Sequence, residues 1–165
     1  MHPLERLFRY VRSDEMHQAF NFVFLEAGWN APALHTAISD SLYEADLVGA
    51  PSTWVLSNHD TVRHASRFGL DTPPMHQRGI GPDDPQPDLA LGLRRARAAA
   101  LLELGLPGSA YLYQGDELGL PDHTTLPAEA RQAPAFFRTA GRATGPHGPR
   151  APPPRAPAAR PEGRR

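Results

Sequence analysis

Apolar positions along the chain fall into two kinds of period. Leu4, Leu7, Phe8 and Val11 recur at helical spacing with arginines on the opposite face, which predicts a helix over residues 4–12. In AFNFVFLEAG (19–28), Phe20, Phe22 and Phe24 stand two apart with Val23 and Leu25 between them; this aromatic-rich run predicts a strand buried on both faces. Leu34, Ile38, Leu42 and Ala45 then mark one face of a helix over 32–46, with Asn30 and Pro32 as its start signals and Gly49-Ala50-Pro51 beyond its end. Residues 53–56 are apolar without alternation and predict a short central strand.

Residues 64–88 are rich in Gly, Pro, Asp and His, and a connection of that length without regular structure is usually functional or disordered. Asp88 is placed to cap a helix, LALGLRRARAAALLEL, that stops at Gly105 with Pro107 beyond. Arg94, Arg95 and Arg97 are read as its solvated face. Ser109-Ala110-Tyr111-Leu112-Tyr113 predicts a third strand. The order strand, helix, strand, helix, strand argues for an α/β fold of parallel βα units, whose active residues gather at the carboxyl ends of the strands.

Residues 141–165 break this pattern. Pro, Ala, Arg and Gly dominate and no apolar side chain is larger than Ala, so burial cannot offset ordering entropy. The expected organisation is one folded unit over 1–140 and a disordered tail over 141–165. Composition removes several function classes. Seventeen basic residues against eighteen acidic ones leave no bulk field for nucleic acid or an anionic membrane. The absence of cysteine excludes disulfides, thiol nucleophiles and thiolate metal sites. No run approaches the ~20 apolar residues of a membrane span, and the charged start MHPLERLFRYVRSDEM lacks a signal-peptide core, so a cytoplasmic location is expected. All basic residues are Arg, which points to a GC-rich gene.

The candidate chemistry lies in WVLSNHDTVR (54–63), where an apolar run meets an amide, an imidazole, a carboxylate and a guanidinium. Three readings are open on the residues alone. Asn58 and Asp60 can close a strand-end turn on nearby backbone while His59 is merely exposed. His59, Asp60 and His64 can ligate a divalent metal, as in an HD-type phosphohydrolase. Or Asp60 and His59 can hydrogen-bond the hydroxyls of a sugar whose glycosidic bond passes through an oxocarbenium-like transition state, with Arg63 holding a carboxylate rigid.

Beyond this cluster, WVLSNHDTVRHASRFG resembles the strand-seven motif of the α-amylase family of glycoside hydrolases (glycoside hydrolase family 13), in its α-glucosidase and oligo-1,6-glucosidase branch. GSAYLYQGDELGLP (108–121) resembles that branch's strand-eight motif, and LFRYVRSDEMHQAFNFVFLEAGW (7–29) its approach to strand six. The three stand in family order and cover roughly residues 3–140. The resemblance implies a (β/α)8 TIM barrel, represented here by about strands six to eight, and retaining hydrolysis of α-glucosidic bonds in malto- or isomalto-oligosaccharides. It assigns Asp60 as the carboxylate that grips sugar hydroxyls and stabilises the transition state, His59 as a hydrogen-bonding partner of the same sugar, and Arg63 as a residue that orients an acidic group or touches substrate. It makes Asp116 and Glu117 shapers of the barrel mouth. Tyr111 and Tyr113 are expected to pack, and His64 and Arg67, just beyond the motif, to be lip or loop residues. No cofactor or metal is implied.

Retaining glycosidases need a nucleophilic carboxylate and a second one as general acid and base. By the resemblance these belong to strands four and five, and no G-x-R-x-D nucleophile motif occurs in this sequence. The expectation is therefore a piece of an α-glucosidase gene, truncated at the front and out of frame at the Pro/Arg-rich back, inactive alone and dependent on an N-terminal half of the barrel. The alternatives are a non-catalytic sugar-binding or complementing module and a relic without function. An open set of strands also leaves unpaired edges, so poor solubility is expected.

Overall fold

The computed structural model describes residues 3–71 and 79–125. Helix α1 spans Pro3–Phe8, α2 Phe22–Glu26, α3 Ala31–Val48, α4 His64–Arg67 and α5 Leu89–Gly105; strand β1 spans Thr53–Val55 and β2 Ser109–Tyr111. The expected tail over 141–165 lies outside the described residues.

The elements with local punctuation form as the sequence predicts. Asn30 caps α3 by accepting from the Ala33 N–H (2.9 Å), Pro32 sits in its first turn, and Gly49 ends it at φ 66°, a left-handed conformation that glycine adopts without a Cβ clash. Asp88 caps α5 by accepting from the Leu91 N–H at 2.9 Å. Strands β1 and β2 pair in parallel, Thr53 opposite Ser109 and Val55 opposite Tyr111. Helices α4 and α5 lie between them in the chain, so the parallel βα reading holds.

Three expectations are corrected. The helix expected over 4–12 stops at Phe8, although Val11 is still buried beside Leu4 and Phe8. The connection 64–88 is not wholly irregular, because α4 begins it. The strand expected over 19–28 is instead the short helix α2. Its buried side chains are Asn21, Phe24 and Leu25, a three- and four-residue spacing, while Phe20 and Phe22 are exposed. Asn21 decides the matter: its side-chain oxygen accepts from the Phe24 N–H (3.1 Å) and starts a helical turn, and its amide donates to Ser41 Oγ at 2.7 Å on α3.

The core has two parts. Phe24, Trp54, Leu56, Phe68 and Ala99 pack under Leu34, Ile38 and Leu42 of α3. Trp54 is fully buried, meets Phe24 edge-on at 5.2 Å, and donates its indole N–H to Pro107 O at 2.8 Å. The second part joins α1 to Ala45 of α3. Among the described residues β2 pairs with β1 alone, and its flank carries an exposed aromatic cluster in which Phe20 lies 5.3 Å from Tyr111 and 6.2 Å from Phe22.

Gly92 sets how closely α5 approaches α4, since a Cβ there would lie 2.1 Å from Ala65 O. Replacing a helical Gly by Ala ordinarily gains up to about 1 kcal/mol. Here overpacking is expected to outweigh that by about 1–3 kcal/mol, so Gly92→Ala lowers the thermal midpoint; a rise would show that the two helices are not in contact.

Candidate active site

Because β1 and β2 are parallel, their carboxyl ends open on one edge of the sheet. After β1 the chain stays buried through Leu56 and Ser57, then turns at His59 and Asp60. Asn58 builds that turn, its side-chain oxygen accepting from the Asp60 N–H (2.8 Å) and the Thr61 hydroxyl (3.1 Å). His59 Nε2 lies 3.2 Å from Asp60 Oδ2, and the two side chains remain 63% and 51% exposed. Asp60 thus stands on a turn at a strand end, turned outward and off any helix.

Arg63 runs the other way, into the protein. Its side chain is 7% exposed and lies over the Tyr113 ring at 5.0 Å, with Nη1 donating to Gln114 O (2.7 Å) and standing 3.6 Å from Asp116 Oδ1. Its backbone N–H donates to Asp122 Oδ2 at 2.8 Å, and the Asp122 N–H donates to Ser66 Oγ at 2.8 Å. The turn after β1 is thereby tied at several points to the turn after β2. Asp116 also accepts from the Tyr113 N–H (3.0 Å), and Glu117 accepts from the Gly115 N–H (2.8 Å), so both carboxylates fold the second turn.

His64 and Arg67 are not lip residues. His64 is buried, with Nδ1 2.7 Å from Ser57 Oγ, while its backbone N–H donates to the same oxygen at 3.0 Å. Burial, reinforced by the nearby Arg67 and Arg63 cations, lowers its pKa to about 4, so the imidazole beside Asp116 is neutral at pH 7. Arg67 reaches back to donate to Leu56 O (2.9 Å) and Val62 O (3.1 Å), bracing both ends of the motif turn. Arg95 is likewise more than a solvated side chain, since it donates to Phe68 O at 2.7 Å.

Electrostatically the buried part of the site is dominated by desolvation. Burial raises Asp116 to about 6 even though the Tyr113 N–H and Arg63 pull it down, and burial also raises Asp122 against Arg63 and Arg67. The three candidate metal ligands do not converge: His64 faces Ser57 in the interior while His59 and Asp60 face outward. Among the described residues no group of three or more His, Cys, Asp or Glu side chains could hold a metal ion, and no helix is long and apolar enough to cross a membrane.

Residues 6–152 match the family described as alpha amylase, catalytic domain. The chain belongs to the alpha-amylase family. This alpha-amylase-family chain is 27% identical over 128 residues to an oligo-1,6-glucosidase of Saccharomyces cerevisiae, covering 71% of this chain and 19% of the relative. It is 28% identical over 129 residues to an alpha-glucosidase of Candida albicans, covering 70% and 20%. A maltase of Drosophila melanogaster is 32% identical over 108 residues, covering 64% of this chain and 15% of the maltase. In structure it resembles an alpha-glucosyl transfer enzyme with a TM-score of 0.64 at 25% identity, covering 92% of this chain and 24% of that one. The chain spans about a fifth of the length of the yeast relatives. These alpha-amylase-family neighbours are TIM-barrel enzymes, and the parallel β1–β2 pair with α5 in its crossover has the geometry of a section of such a barrel.

Sequence reasoning found the outward pair and Arg63 but missed Ser57, Ser66 and Asp122. No local pattern marks Asp122, whose partner is the backbone of Arg63 across the sheet. It missed Glu103 as well, which sits on α5 1% exposed, with Oε1 lacking a partner among the described residues while the Tyr111 N–H binds its carboxyl. Burial and the nearby Asp116 raise its pKa to about 8. A carboxyl that holds its proton more tightly folded than unfolded loses stability as pH rises from about 4.5 to about 8. At neutral pH the cost is on the order of 3 kcal/mol. Glu103→Gln keeps the acceptor for Tyr111, so it is expected to raise the melting midpoint at pH 8, change it little at pH 5 and flatten the slope between; an unchanged slope in pH-dependent melting would place the titration elsewhere.

Proposed function

We propose that this chain is the part of a retaining α-glucosidase-type glycoside hydrolase that carries about strands six to eight of the barrel and the transition-state-stabilising side of the sugar subsite. The observation that carries the reading is the outward pair, His59 and Asp60, 3.2 Å apart at the carboxyl end of a buried strand and braced from beneath by Arg63 and Arg67. On this reading β1 and β2 are strands seven and eight, and residues 19–28, coiled as α2 in this chain, occupy the position of strand six.

Asp60 accepts hydrogen bonds from two ring hydroxyls of an α-glucoside, bonds that tighten as the oxocarbenium-like charge develops. His59 binds the same sugar. Arg63 holds Asp116 and keeps the two strand-end turns in register; it acts through the scaffold. The nucleophile and the general acid and base come from polypeptide outside this sequence, because a retaining mechanism needs two further carboxylates about 5 Å apart and no second outward carboxylate accompanies Asp60 on its turn.

The test is complementation. Alone, the chain releases no aryl leaving group from an aryl α-glucoside. Mixed or co-expressed with the N-terminal portion of an α-glucosidase barrel, it restores that release; hydrolysis by the chain alone would overturn the division of labour.

A further inference from the structure

A second pocket lies away from the His59–Asp60 turn, between the α2–α3 junction and the end of α4. Its volume is about 360 Å³, and Trp29, Asn30, Arg67, Asp71 and Arg95 line it. That size is at the small end of ligand sites, enough for one compact ring. None of the residues assigned to the α-glucoside subsite contributes to it.

The lining is chemically mixed in a particular way. Trp29 is 41% exposed, and its ring is steadied by Phe68 at 5.6 Å, so it presents an indole to the opening without giving up its packing. Arg95 and Arg67 supply N–H donors, Asp71 a carboxylate acceptor and Asn30 an amide. Arg67 has both Nη atoms engaged and its Nε without a partner among the described residues. An anion is disfavoured: Asp71 is in the lining, and Glu26, Asp116 and Asp122 all act on Arg67. Roughly balanced charge leaves little net attraction for phosphate or carboxylate. A ring with one apolar face and a rim of hydroxyls, each able to donate and accept, fits an aromatic wall beside interspersed donors and acceptors.

We propose that this pocket is a second sugar-binding site that takes one neutral hexose unit, its apolar face on Trp29 and its hydroxyls on Arg95 and Asp71. The site does not depend on the α-glucoside reading of Asp60. Its occupant is a glucose residue, free or at the end of an oligosaccharide.

The chain has two tryptophans, which makes the test direct. Trp54 is fully buried with its indole N–H bonded to Pro107, while Trp29 borders the pocket. Titrating glucose and maltose into the full chain is expected to shift the Trp29 indole N–H resonance saturably and leave that of Trp54 unmoved. Arg95→Met is expected to weaken the binding that the Trp29 resonance reports about tenfold, the worth of a charge-assisted hydrogen bond. The proposal is overturned if neither sugar moves Trp29 by roughly 100 mM, a concentration beyond any specific affinity worth the name. It is equally overturned if Asp60→Ala removes the shift and Arg95→Met does not, which assigns the binding to the motif turn, or if inorganic phosphate moves Trp29 as well as the sugars do.

Discussion

Arg63→Met is expected to destabilise the chain by about 3–5 kcal/mol, the usual cost of removing one partner from a buried ion pair. The guanidinium is 7% exposed, lies 3.6 Å from an Asp116 carboxylate that is 5% exposed, and donates to Gln114 O, so the variant leaves a buried charge and the Gln114 carbonyl without their donor. Methionine retains most of the apolar contact with Tyr113, which confines the loss to the polar terms. The pH dependence gives a second signature. Asp116 already titrates at about 6 in the folded state, above its ordinary 3.8, so its burial removes stability as pH rises between those values. Without Arg63 the carboxyl rises further, and the decline is expected to extend above pH 6. Denaturant melts at pH 5 and pH 8 check this: the variant should lose more at pH 8. An equal loss at both would mean that the guanidinium does not act on Asp116.

The second large effect is on activity. In a complemented enzyme, Asp60→Asn is expected to lower kcat by roughly 10³-fold, since hydrogen bonds that strengthen in the transition state supply several kcal/mol and each 1.36 kcal/mol is tenfold in rate. KM should change much less, because the interaction grows as the reaction proceeds. The melting midpoint should hardly move, the side chain being 51% exposed. A parallel rise in KM with kcat intact would make Asp60 a ground-state binder, and a large stability loss would make it a fold residue. His59→Ala is expected to follow the same pattern with a smaller drop.

Much of this was legible in the chain and some was not, for physical reasons that separate cleanly. Helices α3 and α5 are delimited by near neighbours, with Asn30, Pro32 and Gly49 around one and Asp88 before the other, so local reading suffices. The parallel strands follow from continuous apolar runs around a helix. Residues 19–28 misled because aromatics two apart resemble a strand, whereas the deciding contact, the Asn21 amide on Ser41, is made to another element. The outward His59 and Asp60 were readable from the break in hydropathy after β1. The inward half of the site was not: Arg63 finds Asp116 and Asp122 after the neighbouring strand β2, and His64 and Arg67 are buried because Ser57 and the Leu56 and Val62 carbonyls give them partners that no spacing rule shows. Polar residues next to a motif look exposed until such partners are known.

The division between an inward brace and an outward pair is what allows the turn to be rigid and yet present a carboxylate to solvent. A turn fixed only by Asn58 would let Asp60 wander, and a loosely held group contributes little to a transition state. Gln114, Asp116 and Asp122 after β2, acting through Arg63, supply the missing constraint.

The most direct test is a crystal structure of the chain assembled with the N-terminal portion of an α-glucosidase barrel and soaked with glucose. Both Asp60 carboxylate oxygens are expected within hydrogen-bond distance of two hydroxyls of one ring, with His59 on a hydroxyl of the same ring and Arg63 still on Asp116. A glucose bound in the cleft with Asp60 turned away from it, or held by carboxylates from the other portion alone, would contradict it.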